Sequence, residues 1–461
     1  MGPMTTTSSA VEVLTFEEAE PKMAAAAGWF LKRGIEPGER VAFSLNSSAD
    51  YLCAVLGAAR VGIIPVSLNT TLLARERDAL ITDANPAISI LDDAMLANVV
   101  AGPKAEMAPF PLTRPMHFTS GTTGRPKGVT TGIWDEDTAR AAFNDEVSVW
   151  NYGPTDLHMV NSPMYHTVAI RLSMVALLSR GSLAILPRYD AHVALDALRT
   201  LRPSSAFFVP THLHRLLALP ELGEHEIFDS LRLLTHAGAA CPPVLKRAAI
   251  ARVRENSLFE FYGSTEGQFT LCSTQEWLER PGTVGRARSG RRLSIVPVEG
   301  GGGSDGEAVG TIWCDVPSFA RFSYFNNPSA TEAAWNGDAF SVGDLGSLDA
   351  DGYLYLNGRR SDLIISGGVN VYPAEVEGAL MEIEGIGEIC VFGRDDPDWG
   401  QRVCAAVVPS GSVTTEQLFD AARRVVAPYK RPKEFHLTAS LPVGPTGKVL
   451  RDRVAEHLGL T

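Results

Sequence analysis

The sequence lacks an excess of positive charge, long apolar runs and closely spaced cysteines. Its 461 residues include 41 lysines and arginines against 53 aspartates and glutamates, a formal net charge of −12. That charge disfavours a general binder of nucleic acids or anionic membranes. No apolar run reaches the roughly 20 residues that span a bilayer, and residues 1–10 lack the basic-then-apolar pattern of a secretion signal. We therefore expect a cytoplasmic protein without a nucleic-acid or membrane partner.

The six cysteines are scattered, and no two of them form a Cys-x-x-Cys pair. In a chain of this length they are expected to be reduced core residues rather than disulfides or zinc ligands. Hydrophobic residues make up 45% of the chain. This composition is enough for a large core, and the length predicts more than one folding unit.

The apolar pattern of the chain alternates between strand and helix periods. Helical patterns occur at residues 11–35, 49–61, 135–149, 170–178 and 191–201, and strand patterns at 41–45, 63–68, 183–186, 205–209 and 231–235. Such alternation predicts a parallel sheet with helices on its faces. Residues 280–360 are strand-like with glycine-rich turns and predict a smaller β-rich subdomain. About a hundred residues of mixed pattern follow, enough for a separate small domain.

The stretch from Thr119 to Gly128 reads Thr-Ser-Gly-Thr-Thr-Gly-Arg-Pro-Lys-Gly. Its glycines let the backbone approach a phosphate, and successive backbone N–H groups can form an anion site. The hydroxyl side chains add donors, and Lys127 adds a compact positive charge. A Walker loop would instead read G-x-x-x-x-G-K-[ST]. The composition predicts a phosphate-binding loop, and a flexible surface turn is the alternative.

Two further stretches place polar side chains just after predicted strands. Tyr262-Gly263-Ser264-Thr265-Glu266 combines hydroxyls with a carboxylate, a set that can hold a phosphate oxygen and a magnesium ion. Asp344 lies between Gly343 and Gly346, where a carboxylate can accept hydrogen bonds from both hydroxyls of a ribose. The alternatives are a helix N-cap for the first stretch and a hairpin corner for the second.

Two motifs lie in the last hundred residues. Residues 358–377 contain the pair Gly367-Gly368, which would let the backbone approach a thin ligand. A hairpin followed by a helix at residues 373–381 is the alternative and is compatible with that role. Near the end, Lys448 stands in Pro445-Thr446-Gly447-Lys448-Val449-Leu450-Arg451. Taken alone, such a lysine is usually a solvated side chain.

Together these stretches resemble the motifs of the adenylate-forming superfamily, which includes acyl-CoA synthetases, adenylation domains of peptide synthetases and luciferases. The matched segments run from residue 117 to residue 451. The chain departs from the family at Ser361, where relatives usually have Asp or Lys at the hinge, and in a short connection between residues 90 and 118. The resemblance implies an α/β fold. A large N-terminal domain of doubly wound sheets with a β-rich subdomain, residues 1–360, would precede a small mobile α+β domain, residues 361–461.

The resemblance also implies a role for each matched residue. The catalytic residues would be Lys448, Thr265, Glu266 and Lys127, with Glu266 also holding Mg²⁺. The nucleotide-binding residues would be Thr119, Ser120, Gly121, Thr122, Thr123, Gly124, Gly238, Ala239, Ala240, Tyr262, Gly263, Asp344 and Arg359. His166, Thr167, Gly367 and Gly368 would contact the acyl group or CoA, and Ser361 would be the hinge.

The implied activity is that of an AMP-forming acyl-CoA synthetase, an acid–thiol ligase that uses ATP, Mg²⁺ and CoA. Its partners would be small molecules, namely a carboxylic acid, ATP and CoA, and a homodimer is compatible with the resemblance. Amino-acid-activating relatives have an Asp where this chain has His166. The other expected pocket walls, residues 207–209 and 238–240, are apolar or small. We therefore expect a bulky hydrophobic acid.

Three alternatives stay open at this point. The chain could load its acid onto the phosphopantetheine of a carrier protein instead of CoA. It could perform only the thioesterification half of the reaction. It could also be a nucleotide-binding protein without chemistry, although the intact Lys127, Glu266 and Lys448 argue against that.

Overall fold

The computed structural model describes residues 11–72, 74–119, 126–222, 226–239, 241–302, 308–359, 362–366, 369–396, 400–426, 428–444 and 448–460. The chain divides into two compact units. The first comprises Met1–Gly238, Arg247–Gln268 and Val316–Asp338, and the second comprises Ala239–Lys246, Phe269–Asp315 and Ala339–Thr461. The mixed α/β class expected from the sequence is confirmed. The domain boundary expected at residues 360 and 361 stays a prediction.

Helices and strands are numbered in chain order. Up to residue 160 they are β1 (Glu12–Thr15), α1 (Phe16–Lys32), β2 (Arg40–Phe43), α2 (Ala49–Arg60), β3 (Ile64–Ser67), α3 (Ala74–Ala84), β4 (Ile88–Ile90), α4 (Asp93–Val100), β5 (Met116–Thr119), β6 (Lys127–Thr130), α5 (Glu136–Trp150) and β7 (Leu157–Val160). Up to residue 287 they are α6 (Thr167–Leu178), β8 (Ser182–Ile185), α7 (Ala191–Leu201), β9 (Ser205–Phe208), α8 (Pro210–Leu217), β10 (Leu233–His236), α9 (Pro243–Ile250), β11 (Leu258–Glu260), β12 (Thr270–Ser273), α10 (Thr274–Glu279) and β13 (Arg286–Ala287).

The remaining elements are shorter on average and richer in strands. Up to residue 359 they are β14 (Arg292–Gly302), β15 (Ala308–Asp315), β16 (Ser323–Tyr324), α11 (Pro328–Ala334), β17 (Trp335–Asn336), β18 (Ala339–Phe340), β19 (Asp344–Leu348) and β20 (Leu354–Arg359). The last are β21 (Ile364–Ser366), β22 (Val369–Val371), α12 (Pro373–Leu380), β23 (Ile386–Asp396), β24 (Gly400–Pro409), α13 (Thr415–Val425), β25 (Glu434–Leu437) and α14 (Val454–His457).

Two sheets organise the first unit. One has the order β1-β8-β7-β9-β10-β11, and its neighbours are parallel except β1, which is antiparallel to β8. All four residues of β9 and all four of β10 are buried, as expected for central parallel strands covered on both faces. The other sheet has the order β16-β6-β5-β3-β2-β4, in which β5, β6 and β16 form an antiparallel edge. Loops at the carboxyl ends of the parallel strands are therefore the expected ligand edge.

The second unit contains two further sheets. In the first of them β15 pairs antiparallel with β14, β18 and β19, and β19 pairs antiparallel with β20. This confirms the β-rich character expected for residues 280–360. The other sheet has the order β22-β21-β24-β23, with β25 parallel to β24. Its core includes Val376 and Leu380 of α12 and Leu418 of α13, so two helices cover one face.

One sequence expectation is corrected near the start of the chain. Residues 12–15, included in the helical pattern, form the edge strand β1 because they pair antiparallel with β8. The Thr15 side chain accepts the Glu18 N–H and starts α1 at Phe16. Between residues 90 and 118 the chain forms the helix α4, whose N-terminus is capped by Asp92, and the shortness of this connection relative to the family stays a prediction. Local capping residues decide both boundaries.

The six cysteines are reduced and five of them are buried, as expected for core residues. Among the residues that the structure describes, no helix has the length and apolar character needed to cross a bilayer.

Candidate active site

The predicted phosphate loop is bounded by two paired strands. Thr119 and Lys127 are Cα partners at the adjoining ends of β5 and β6. The Thr119 hydroxyl donates to the Lys127 carbonyl oxygen at 3.4 Å. Residues 120–124, which include the predicted phosphate-binding hydroxyls, lie outside the described residues. Their role stays a prediction, while the strand pairing places the half-buried Lys127 beside Thr119.

A tight turn after β11 carries Thr265 and Glu266. Gly263 and Gln268 form an isolated β-bridge, and the Glu266 N–H donates to the Ser264 hydroxyl at 3.2 Å. A Cβ atom on Gly263 would lie 2.7 Å from a backbone carbonyl oxygen across the turn. The turn therefore requires glycine at this position. It leaves Glu266 as a whole only 5% exposed.

Tyr324 is a site residue that sequence reasoning missed. Its hydroxyl donates to Oε1 of Glu266 at 2.8 Å, and Lys127 Nζ lies 5.0 Å from the centre of its ring. Burial and the neighbouring Glu266 carboxylate raise the pKa of Tyr324 well above its usual value, so the phenol keeps its proton and acts as a donor. Tyr324 and Glu266 are 58 positions apart in the sequence, so no local sequence pattern predicts this hydrogen bond.

Two arginines support the turn that carries Glu266. Arg114 donates to the Thr265 carbonyl oxygen at 3.3 Å, and Arg171 of α6 donates to the Gln268 side chain at 2.9 Å. Arg171 also lies 3.6 Å from the Glu146 carboxylate of α5, and both side chains are largely buried. Helices α5 and α6 therefore help to hold the turn in place. Sequence reasoning did not identify these arginines.

The predicted acyl-contact residues lie at the carboxyl end of β7. His166 is half-buried and directly precedes α6, and its ring lies 4.6 Å from that of Tyr165. Thr167 is the first residue of α6, and its hydroxyl is buried without a hydrogen-bond partner among the described residues. Burial lowers the pKa of the nearby His117 to about 3. The His117 imidazole is therefore neutral.

The predicted pocket walls meet at the same edge of the sheet. Phe208 and His236 are Cα partners on β9 and β10, so the segments that follow them, starting at Val209 and Ala237, are neighbours. Gly238 has φ +89°, and a Cβ atom on it would lie 3.6 Å from the Val209 side chain. Ala239 is exposed, and Ala240 lies outside the described residues. The proximity of 207–209 and 238 is thus observed, whereas their contact with a ligand stays a prediction.

In the second unit, Asp344 begins β19 and Arg359 ends β20, and the two are Cα partners. Asp344 is 8% exposed. Gly343 before it has φ +81°, a conformation that strongly favours glycine. The predicted hairpin at β21 and β22 is confirmed by the pairing of Ser366 with Val369. Ser361, Gly367 and Gly368 lie outside the described residues.

Lys448 belongs to the second unit and is exposed. Its carbonyl oxygen accepts from the Gly444 N–H at 2.8 Å, and the Leu450 N–H donates to Pro442 O at 2.8 Å. Val443 and Val449 add a β-bridge. These contacts join residues 442–444 to residues 448–450, on either side of residues 445–447, which lie outside the described residues.

Arg451, three residues after Lys448, joins this segment to the helix α12 and the strand β23. Its guanidinium forms an ion pair with Glu377 of α12 and donates to the carbonyl oxygen of Val391. It also lies 3.4 Å from the Asp362 carboxylate, next to the predicted hinge. The position of Lys448 is therefore tied to α12 and β23 by a neighbour three residues away.

The residues around Glu266 fit a magnesium ion. Mg²⁺ prefers hard oxygen ligands and often uses one or two carboxylates together with phosphate oxygens. Glu266 offers a largely buried carboxylate, and Tyr324 occupies one lone pair of Oε1. A carboxylate has about four acceptor sites, so Oε2 keeps its capacity to bind a cation.

Comparison with known proteins covers nearly the whole chain. A family model described as AMP-binding enzyme matches residues 5–109 and 115–324, and one described as AMP-binding enzyme C-terminal domain matches residues 375–448. The chain is 31% identical to a 2-succinylbenzoate–CoA ligase of Bacillus cereus, over 95% of this chain and 92% of that protein. It is 29% identical to the long-chain-fatty-acid–CoA ligase FadD13 of Mycobacterium tuberculosis, over 93% of this chain and 90% of that protein.

Solved structures with the same fold include two that contain nucleotide ligands. ATP-bound MatB from Rhodopseudomonas palustris has a TM-score of 0.83 and 27% identity, covering 98% of this chain and 97% of that one. The o-succinylbenzoate CoA synthetase MenE from Bacillus subtilis, in complex with the acyl-adenylate OSB-AMP, has a TM-score of 0.81 and 25% identity, covering 97% and 96%.

Proposed function

The chain belongs to the AMP-binding enzyme family, and on that premise we propose that it is an AMP-forming acyl-CoA ligase. The family matches and the two CoA ligases that it resembles over at least nine-tenths of its length support this function. The single observation in the structure that carries it is the convergence of Lys127 and Glu266 on Tyr324. A cation suited to phosphates and a carboxylate suited to Mg²⁺ lie in one small region.

The reaction would proceed in two balanced steps. A carboxylate oxygen of the acid attacks the α-phosphorus of ATP, and the bond to pyrophosphate breaks, which gives an acyl-adenylate. The CoA thiol then loses its proton and attacks the acyl carbon, and AMP leaves. Neither step needs a side-chain nucleophile, because binding, orientation and charge stabilisation supply the catalysis.

Each site residue has a defined part in this proposal. Lys127 binds phosphate oxygens, and Thr265 contacts the α-phosphate. Glu266 holds Mg²⁺, which when bound neutralises charge on the phosphates. Asp344 and Arg359 hold the ribose, and Lys448 approaches the acyl carboxylate and the α-phosphate when the C-terminal domain rotates.

The acid is proposed to be bulky and hydrophobic. Burying the ammonium group of an amino acid without a carboxylate partner costs several kcal/mol, and His166 stands where amino-acid-activating relatives have an Asp. The neighbouring wall segment contains Phe207 and Val209 and meets the small residue Gly238. These residues support an apolar acid over a free amino acid.

The test is acid-dependent exchange of labelled pyrophosphate into ATP across a panel of carboxylic acids, followed by an assay for acyl-CoA. We expect exchange to rise from acetate to bulky apolar acids and free amino acids to be inert. A preference for acetate, or an amino acid turned over faster than its deaminated analogue, would contradict the pocket assignment.

The acceptor assay separates the remaining alternatives. A carrier-loading ligase would show exchange but transfer the acyl group only to a phosphopantetheinylated carrier protein. An enzyme limited to thioesterification would show no exchange and would convert supplied acyl-adenylate and CoA to acyl-CoA. Acyl-CoA made from free acid, ATP and CoA would establish the proposed reaction. The cytoplasmic location and the homodimer expected from the sequence stay predictions.

A further inference from the structure

We propose that Tyr324 is a positioning residue of the ATP site. Its hydroxyl orients the Glu266 carboxylate toward the metal, and its ring positions the Lys127 ammonium group. The inference rests on the proposed function, because that function makes Glu266 the metal-binding carboxylate and Lys127 a phosphate-binding cation. Tyr324 itself needs no contact with substrate. Its effect passes through the two residues that it touches.

The hydrogen bond to Glu266 is the first contact that supports this role. Donor and acceptor are both largely buried, with Tyr324 8% exposed and Glu266 5% exposed. The 2.8 Å distance between the phenol oxygen and Oε1 is ordinary for an O–H···O hydrogen bond. Because the bond holds Oε1, it restricts rotation of the carboxylate and leaves both lone pairs of Oε2 available to a cation.

The contact with Lys127 uses a different part of the same side chain. Lys127 Nζ lies 5.0 Å from the centre of the Tyr324 ring, within the range at which an aromatic face attracts an ammonium group. This attraction keeps the flexible Lys127 side chain close to the face of the Tyr324 ring. The hydroxyl and the ring can be removed separately, by substitution with Phe and with Leu, so the two effects can be measured separately.

Tyr324 can position other residues because its own backbone is held on both sides. Tyr324 is the Cα partner of Val129 in β6, the strand that begins with Lys127. The Tyr324 N–H donates to the Thr331 hydroxyl at 2.9 Å, and the Phe325 N–H donates to the Gly128 carbonyl oxygen at 2.7 Å. One strand therefore carries Lys127 and also aligns the tyrosine that contacts it.

The first test measures MgATP binding by titration calorimetry at a series of Mg²⁺ concentrations, without any acid, so that no reaction occurs. We expect Tyr324→Phe to raise the Mg²⁺ concentration needed for half-maximal ATP binding by about ten-fold, as for the loss of a hydrogen bond to a charged group. At saturating Mg²⁺ its ATP affinity should approach that of the wild type. Tyr324→Leu should weaken ATP binding at all Mg²⁺ concentrations, because Lys127 also loses its contact.

The matched control is Tyr353→Phe. The Tyr353 hydroxyl donates to the Glu276 carboxylate at 3.3 Å in the second unit, so this variant removes a tyrosine–glutamate hydrogen bond outside the site. Its Mg²⁺ dependence should equal that of the wild type. Equal Mg²⁺ dependence in Tyr324→Phe, Tyr353→Phe and the wild type would overturn the proposal.

A double-mutant cycle with Glu266→Gln separates positioning from general destabilisation. If Tyr324 acts through Glu266, Tyr324→Phe should change the Mg²⁺ dependence in the wild-type background and leave it unchanged in the Glu266→Gln background. Equal changes in both backgrounds, accompanied by a lower melting temperature without ligand, would contradict positioning. Because these measurements need no acid, they still report on Tyr324 if the protein shows no pyrophosphate exchange, a result that would count against the proposed function alone.

Discussion

Asp344 and Arg359 lie directly opposite each other as Cα partners on the antiparallel strands β19 and β20. In this hairpin Leu345 is opposite Gly358, and the next residue, Gly346, is opposite Leu356. Strand β20 therefore has one extra residue at this point, and the register shifts by one position. The two residues expected to hold the ribose are thus brought together by local strand pairing within one sheet.

This pairing leads to a prediction for Asp344. Replacing Asp344 with Ala should raise the KM for ATP in pyrophosphate exchange by about ten- to a hundred-fold, the usual cost of losing hydrogen bonds to a charged group. Asp315→Ala is the control, because it removes a carboxylate from an exposed ion pair with Arg292 in the same sheet. A similar KM in both variants would show that Asp344 serves only the hairpin.

Lys448 is expected to act in one half of the reaction. Lys448→Ala should slow adenylate formation by about a hundred- to a thousand-fold, as for the loss of one pre-placed charge. Thioester formation from supplied acyl-adenylate should survive, because the C-terminal domain has by then turned the lysine away. Arg453→Ala, which removes an exposed partner of Glu456, controls for changes in the same segment. Equal loss in both half-reactions would contradict the two-conformation assignment.

Gly367 is expected to serve the second half-reaction. It lies in the sequence between β21 and β22, where a side chain would obstruct the pantetheine arm of CoA. Gly367→Leu should keep pyrophosphate exchange and lose acyl-CoA formation, whereas Gly411→Leu, at an exposed glycine with open space around its Cα, should keep both. Loss of exchange together with a falling melting temperature would mean that Gly367 serves only the hairpin.

An ion pair between the buried Asp156 and the half-buried Arg232 predicts how stability depends on pH. Arg232 donates to both oxygens of Asp156 at 2.8 and 2.6 Å. Burial alone would raise the pKa of Asp156, but hydrogen bonds from Arg232, Ser204 and Gly153 outweigh it and hold the pKa below its usual value. The folded state therefore binds this proton less readily than the unfolded state. The stabilisation is present above the ordinary carboxyl pKa of about 4 and is lost as the pH falls through the lower folded value.

Substitution of the pair tests this dependence. Asp156→Asn should lower the free energy of unfolding at pH 7 and flatten its decline under acid conditions. Arg232→Met should cost about 1–3 kcal/mol at pH 7, because it leaves a buried carboxylate without its partner. The exposed pair of Arg423 and Asp420 should contribute less than about 1 kcal/mol. Urea unfolding at several pH values measures both effects, and an unchanged acid slope in Asp156→Asn would contradict the assignment.

Much of the fold could be predicted from periodicity and from local capping residues. The helix expected at residues 191–201 has those bounds, and the buried strands β9 and β10 lie within one residue or two of their expected positions. Their apolar residues recur at the helix or strand period, which depends on the local backbone alone. The strand β1 could not be predicted in this way, because only its pairing with the distant β8 makes it a strand.

The sequence by itself determined the chemistry of the candidate site. Lys127, Glu266, Asp344 and Lys448 could be identified because each lies in a short motif whose residues are close together in the sequence. The tertiary structure decided which other residues support them. Tyr324 reaches Glu266 because β16 pairs with β6, and Arg171 reaches Gln268 across 97 positions of the chain. Such contacts follow from strand order and helix packing, which bring together residues whose spacing along the chain carries no repeating pattern.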